Sequence, residues 1–204
     1  MIGSNPGIFL NLFYFIILHI QKIFLYEDNE NNGHVLAIDR SKAKISQIQQ
    51  LSDRLGIAPD KITTLIGDST KIDLEIESFD KILLDAPCSA LGQRPMIVQD
   101  CKVKELKSFA KLQKKLFEKA VTLLKPGGIL VFSTCTITIE ENEGLIKWAL
   151  EKYGEIIELC HTLPKLGENG HDLGGHSDKV QRFGPGIESV STIGFFIAKF
   201  RKIK

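Results

Sequence analysis

FDKILLDAPCS, residues 79–89, is a short apolar run that ends in an acid and breaks on a proline. A run of this length bounded by turn residues reads as a strand of a buried sheet. Downstream, SFAKLQKKLFEKAVTLLKPGG (108–128) sets Phe109, Leu112, Leu116, Ala120 and Leu123 on one helical face. That helix is expected to stop at Pro126-Gly127-Gly128. ILVFSTCT (129–136) is the next strand. Thr138 and Glu141 then have the spacing of a capping box, opening a helix that turns Leu145, Trp148 and Ala149 inward. A shorter strand, IIEL, follows Tyr153. A Gly-rich polar loop runs from about Lys165 to Ser191, and IGFFIAKF closes the chain as a strand.

Upstream the alternation continues. HVLAID (34–39) and ITTLIG (62–67) are strands. Between them SKAKISQIQQLSDRLG places Ile45, Ile48, Leu51 and Leu55 at helical spacing, with Gly56 as the cap. Strands alternating with helices imply an α/β fold: a mostly parallel sheet with helices on both faces. The final two strands are joined by a loop and should form an antiparallel edge pair. At 204 residues the chain is expected to bury one core.

Composition is that of a globular protein, with 43% apolar and 25% charged residues. A net charge of +1 announces no nucleic-acid binder in bulk. Cys88, Cys101, Cys135 and Cys160 lack any CxxC pairing, which excludes a zinc ribbon and points to a reducing cytoplasmic or nuclear setting. His171 and His176 have no metal-ligand spacing, so no metal site is expected. Residues 8–26, IFLNLFYFIILHIQKIFLY, approach the length of a membrane span, but Asn11, His19, Gln21 and Lys22 interrupt them. No basic stretch precedes the run and no small-residue cleavage site follows it. A buried strand plus helix, or residues supplied by an imperfect gene assignment, is preferred to a membrane anchor. Residues 1–32 are set apart as an atypical apolar segment, and 33–204 as the catalytic region.

In an open α/β sheet, ligands bind beyond the carboxyl ends of the strands. Here those ends carry Asp39, then Gly67-Asp68, then Asp85-Ala86-Pro87-Cys88, then Ser133-Thr134-Cys135. Each residue alone is weak evidence, because a strand-end Asp is often a turn former and a lone strand Cys usually inert. Three carboxylates and two thiols on one rim are stronger. Asp39 suits the two hydroxyls of a ribose, and Asp68 the amino group of an adenine. Pro87 stiffens the turn that presents Asp85 and Cys88.

DAPCS (85–89) and STCT (133–136), linked by a helix ending in LLKPGG, resemble the RsmB/Sun family of RNA cytosine-5 methyltransferases. TITIEENE and the terminal GFFIAKF strand share the likeness, which runs from about Gly33 to the C-terminus. GQRP (92–95), TCTIT, QRF and TIGFFIAKF most resemble the branch that methylates tRNA acceptor ends. The N-terminal RNA-binding PUA domain usual in that branch is not in this sequence. The resemblance implies a Rossmann-like class I methyltransferase fold, S-adenosyl-L-methionine as cofactor, and RNA, tRNA first, as partner of a monomer with no membrane attachment. It implies Cys135 as the nucleophile that adds to carbon 6 of cytosine. It implies Cys88 as the cysteine that helps break the adduct, and Asp85 as the holder of the cytosine edge beside the cofactor. Cofactor contacts fall to Asp39, Asp68 and Asp85. Arg94 is a candidate phosphate contact, while the lysines of KLQKKLFEK read as a solvated helix face.

One part of the family pattern is missing. The first strand and its Gly-rich turn, typically containing PGGKT, should precede the Asp39 strand. Only Asn5-Pro6-Gly7 and the apolar run stand there. The central slot is left open unless Leu12–Ile17 fills it, and the loop after that segment lacks the glycines that let backbone amides approach a ligand. Competing expectations are an RNA-binding fragment without methyl transfer and a membrane-anchored protein. A nicotinamide oxidoreductase would need a GxGxxG that is not there. The altered loop predicts that S-adenosyl-L-methionine binds this chain weakly or not at all. Titration calorimetry checks this, and micromolar affinity would show the loop dispensable or replaced.

Overall fold

The computed structural model describes residues 12–17, 33–93, 101–185 and 192–204. Its strands are β1 (Leu12–Ile17), β2 (Gly33–Asp39), β3 (Ile62–Ile66), β4 (Phe79–Asp85), β5 (Leu124–Thr134), β6 (Ile157–Cys160), β7 (Gln181–Phe183) and β8 (Phe195–Lys202). The helices are α1 (Lys42–Arg54), α2 (Val103–Leu123) and α3 (Glu143–Tyr153). All strands join one sheet in the order β3-β2-β1-β4-β5-β8-β6, with β7 also paired to β8. Pairs from β3 to β5 are parallel, and β8 runs antiparallel to β5, β6 and β7. This is the predicted α/β sheet with its antiparallel edge.

β1 occupies the slot that the sequence left in doubt. Its backbone pairs in parallel with β2, Leu12 opposite Gly33, and with β4, Tyr14 opposite Lys81. The strand order reverses between β1 and β4, which makes their carboxyl ends the crevice where ligands bind in such sheets. The rest of the apolar run, and the loop in question, lie outside the described residues. No helix among the described residues is long and apolar enough to cross a membrane.

Successive strand residues face opposite sides, so neighbours on β2 separate the two layers. Ile38 belongs to the large core under α2 and α3, whereas Ala37 packs with Ile45, Ile48 and Ile57 beneath α1. Helices therefore cover both faces. Ser41 caps α1, its hydroxyl accepting from the Lys44 amide, and Gly56 follows the helix at φ +67°, where a side chain would be strained. Leu55, expected on the inner face, is exposed because the helix ends there. In the main core Phe117 is the hub, edge-on to Phe200 (5.2 Å), Trp148 (6.1 Å) and Phe132 (6.5 Å).

Three local expectations change. α2 begins five residues earlier than Ser108, at Val103, and ends at Leu123. β5 starts at once, absorbing Pro126-Gly127-Gly128 in a slip of its ladder with β4 between Phe79 and Lys81. α3 begins at Glu143, not at a Thr138–Glu141 capping box, because the Glu141 side chain turns into the core. The Gly-rich loop also carries a 3₁₀ turn (Gly174–Lys179) and β7.

Phe117→Ala removes the hub ring from a site with no solvent access and should cost about 3–5 kcal/mol. Urea denaturation reads this directly, and a loss under about 1 kcal/mol would contradict the packing described.

Candidate active site

The β4–β5 register sets the site. Asp85 pairs with Ser133 at the carboxyl ends of these strands, and the Ala86 amide donates to the Ser133 carbonyl at 3.2 Å. Three residues past Asp85 stands Cys88, and two past Ser133 stands Cys135. Their sulfurs lie 3.3 Å apart. Both are half-buried and line one cavity of about 300 Å³ with Asp39, Asp68, Asp85 and Gln93. The structure thus brings together all five residues singled out from the sequence. Arg94 lies outside the described residues. Among the described residues no cluster of His, Cys, Asp or Glu could hold a metal ion.

The two sulfurs differ in chemistry. Either sulfur could donate across the pair, but Gln93 Nε2 already donates to Cys135 Sγ at 3.3 Å, and with Cys88 as donor that sulfur accepts twice. Two donors on one sulfur favour its thiolate. The Cys88 bond is the largest influence; burial and the Asp85 carboxylate oppose it, and Gln93 adds to it. The net effect pulls Cys135 from the ordinary thiol range to about 7. Cys88 moves upward, since it supplies the shared proton, is buried, and faces the charge on Cys135. A sulfur biased toward the thiolate beside one biased toward the thiol is the result.

The carboxylates are arranged toward the same cavity. Asp39 Oδ1 accepts from the Ser41 amide at 2.7 Å, and its Oδ2 lies 3.6 Å from Lys44. Asp68 accepts from the amide and hydroxyl of Thr70 through one oxygen, bonds that hold its carboxyl below the usual range. Asp85, 8% exposed, accepts from the Ser133 hydroxyl at 3.1 Å. Leu112 and Leu116 of α2 supply an apolar wall. Acids at the ends of adjacent strands and an apolar side between them fit an adenosine with a charged tail, the shape of S-adenosyl-L-methionine.

A buried polar network, which sequence reasoning missed, ties the two cysteine loops together. Glu141 has no solvent exposure. Its oxygens accept from the Ser89 amide (3.0 Å), the Ser89 hydroxyl (2.5 Å), Gln113 Nε2 (2.9 Å) and the Thr138 hydroxyl (2.9 Å). Gln113 also donates to the Pro87 carbonyl, and Ser89 meets the Thr136 hydroxyl at 2.8 Å. Beside it, Asn142 joins the Thr134 hydroxyl to the Thr136 carbonyl. Glu143 receives both bonds from Arg182 Nη1 at 2.7 Å, while Nη2 donates to the Ile137 carbonyl. The only sequence signal was the density of acids after Cys135, which reads equally well as a helix start.

The sequence matches the family described as "16S rRNA methyltransferase RsmB/F" over residues 22–201. The chain belongs to this family. Human tRNA (cytosine(72)-C(5))-methyltransferase NSUN6 is 38% identical over 213 residues, covering 85% of this chain and 45% of the human protein. The tRNA (cytosine(72)-C(5))-methyltransferase of Pyrococcus horikoshii is 40% identical over 178 residues, covering 86% of this chain and 42% of its own length. The chain thus spans less than half the length of these relatives. A crystal structure of NSun6 from P. horikoshii superposes with a TM-score of 0.80 at 34% identity, over 96% of this chain and 49% of that one.

The hydrogen bond from Cys88 predicts a specific titration. Alkylation of Cys135 by iodoacetamide should show a midpoint near pH 7, and in Cys88→Ala it should rise toward the ordinary value of 9.0. Peptide mass spectrometry across a pH series measures both, and an unmoved midpoint would remove Cys88 from the ionisation.

Proposed function

We propose that this chain carries the catalytic region of an S-adenosyl-L-methionine-dependent RNA cytosine-5 methyltransferase acting on tRNA. The observation that carries the proposal is the 3.3 Å sulfur pair opening into the cavity that Asp85 also lines. Relatives named for cytosine-C5 methylation of tRNA support the substrate class.

Carbon 5 of cytosine is too electron-poor to accept a methyl group unaided. In this reading the Cys135 thiolate adds to carbon 6, forming a C–S bond and making carbon 5 nucleophilic. Asp85, braced by Ser133, holds the Watson–Crick edge and stabilises a proton taken up from solvent at ring nitrogen 3, which balances the electron pair the thiolate brings and is returned when the ring is restored. S-adenosyl-L-methionine, held by Asp39, Asp68 and Asp85, supplies the methyl group. Cys88 acts last. Once Cys135 is a neutral thioether, the negative charge that helped raise Cys88 is gone, and its thiol ionises more readily, releasing to solvent the one proton the overall reaction yields. Cys88 then takes the carbon 5 proton, the C–S bond breaks, and Cys135 leaves as thiolate. The base must be unstacked to enter, at about a few kcal/mol in a paired region. The reaction setting is cytoplasmic or nuclear, where both thiols stay reduced.

Denaturing gels of protein mixed with tRNA and a large excess of S-adenosyl-L-methionine, supplied to offset the altered loop, test the assignment. Cys135→Ala should abolish the covalent band, and Cys88→Ala should make it accumulate. Equal adduct in wild type and Cys135→Ala would sink the proposal. RNA binding without an adduct in the wild type would favour an RNA-binding fragment.

A further inference from the structure

We infer that Gln93 is a further catalytic residue, a hydrogen-bond donor that holds the Cys135 sulfur as an attacking thiolate. This rests on the reading of Cys135 as nucleophile. It is carried by how firmly the backbone fixes Gln93 against that sulfur.

Gln93 is exposed, and an exposed glutamine is ordinarily free to wander. Here its turn is bolted on two sides. The Gly92 amide donates to the carbonyl of Cys135 itself at 3.1 Å, so the turn is indexed to the nucleophile's own backbone. The Gly194 amide, at the start of the last strand, donates to the Gly92 carbonyl at 2.6 Å. A Cβ on Gly92 would sit 2.6 Å from the Gly194 carbonyl oxygen, so only glycine allows the approach. Ala90 enters the turn at φ +57°, a left-handed value costly outside glycine and tolerated where surroundings impose it. From this clamp the Gln93 amide reaches Cys135 Sγ at 3.3 Å. Cys88 contributes the other donor, but in the reaction it must later give up that proton. Gln93 never has to. Its donor stays available when Cys135 attacks and again when it departs as an anion, which gives the two donors separate tasks.

The test reads Cys135 ionisation and adduct formation in the whole chain. Gln93→Leu keeps size and removes the donor, while Gln93→Glu puts a carboxylate where the donor was. Both should fold as wild type, since the side chain is exposed. The iodoacetamide midpoint of Cys135 should rise by about one pH unit in Gln93→Leu, on the order of a charged hydrogen bond, and further in Gln93→Glu. The rate of the covalent tRNA band should fall roughly tenfold at pH 6 and recover at pH 9, where the thiolate forms without help. Midpoints at the wild-type value in both variants would overturn the inference. So would an adduct defect equal at every pH, which would mark a contact with RNA instead. Loss of the nucleophile reading would be seen separately, as an adduct that survives Cys135→Ala.

Discussion

A thiol donating to a thiolate across 3.3 Å is a demanding arrangement, because neither loop that carries the sulfurs has a reason to approach the other. Left alone, the anion would be hydrated and the loops would part. The protein imposes the contact through the sheet. With Asp85 and Ser133 in register, the residues that follow must leave the same edge side by side. Every proposed chemical role descends from that pairing, since a one-residue slip would turn Asp85 and Ser133 to the opposite face.

Register alone leaves the loops too much freedom, and the buried polar network removes it. Glu141 takes both the amide and the hydroxyl of Ser89, the residue after Cys88, while its own chain follows Cys135 by six residues. Gln113 on α2 joins the same carboxylate to the carbonyl before Cys88. Such a network stabilises little on balance, because desolvating a carboxylate costs nearly as much as its bonds return. What it gains is geometry: the bonds from Ser89, Gln113 and Thr138 to one buried carboxylate fix the two loops relative to each other. The Glu143–Arg182 pair does the same one step outward, fixing the Ile137 carbonyl to the segment of β7.

Much of this was legible in the sequence, and the reasons differ by element. The alternation of helix and strand follows from apolar periodicity, so the parallel sheet and the rim of acids and thiols could be read before any coordinates. The strand-end positions of Cys88 and Cys135 brought them to one edge, although no spacing fixes a sulfur–sulfur distance. Glu141 was misread because a Thr-x-x-Glu pattern is locally indistinguishable from a helix cap, and only the tertiary partners Ser89 and Gln113 turn it inward. The 3₁₀ turn and β7 were hidden in a Gly-rich stretch whose composition signals a loop; they form because β8 offers Gln181–Phe183 a free edge. Gln93 stood in the GQRP stretch that carries the family likeness, but nothing there paired it with Cys135, since that contact depends on Gly194, about a hundred residues away.

The central strand shows which demands on a sequence are loose and which are strict. A strand paired in parallel on both sides needs only apolar residues of sufficient length, and Leu12–Ile17 meets that demand without any family motif. A loop that must bring backbone amides against a ligand needs glycine at defined positions, and apolar residues cannot stand in for it. Completing the sheet and holding a ligand are therefore separate demands on the sequence. Chemistry at the sulfur pair depends on β4, β5 and β8, all on one side of β1. The proposed adenosine contacts, Asp39 and Asp68, stand at the ends of β2 and β3, on the other side. The fold thus sets the sulfur pair on one side of β1 and Asp39 and Asp68, two of the acids proposed to hold the donor, on the other.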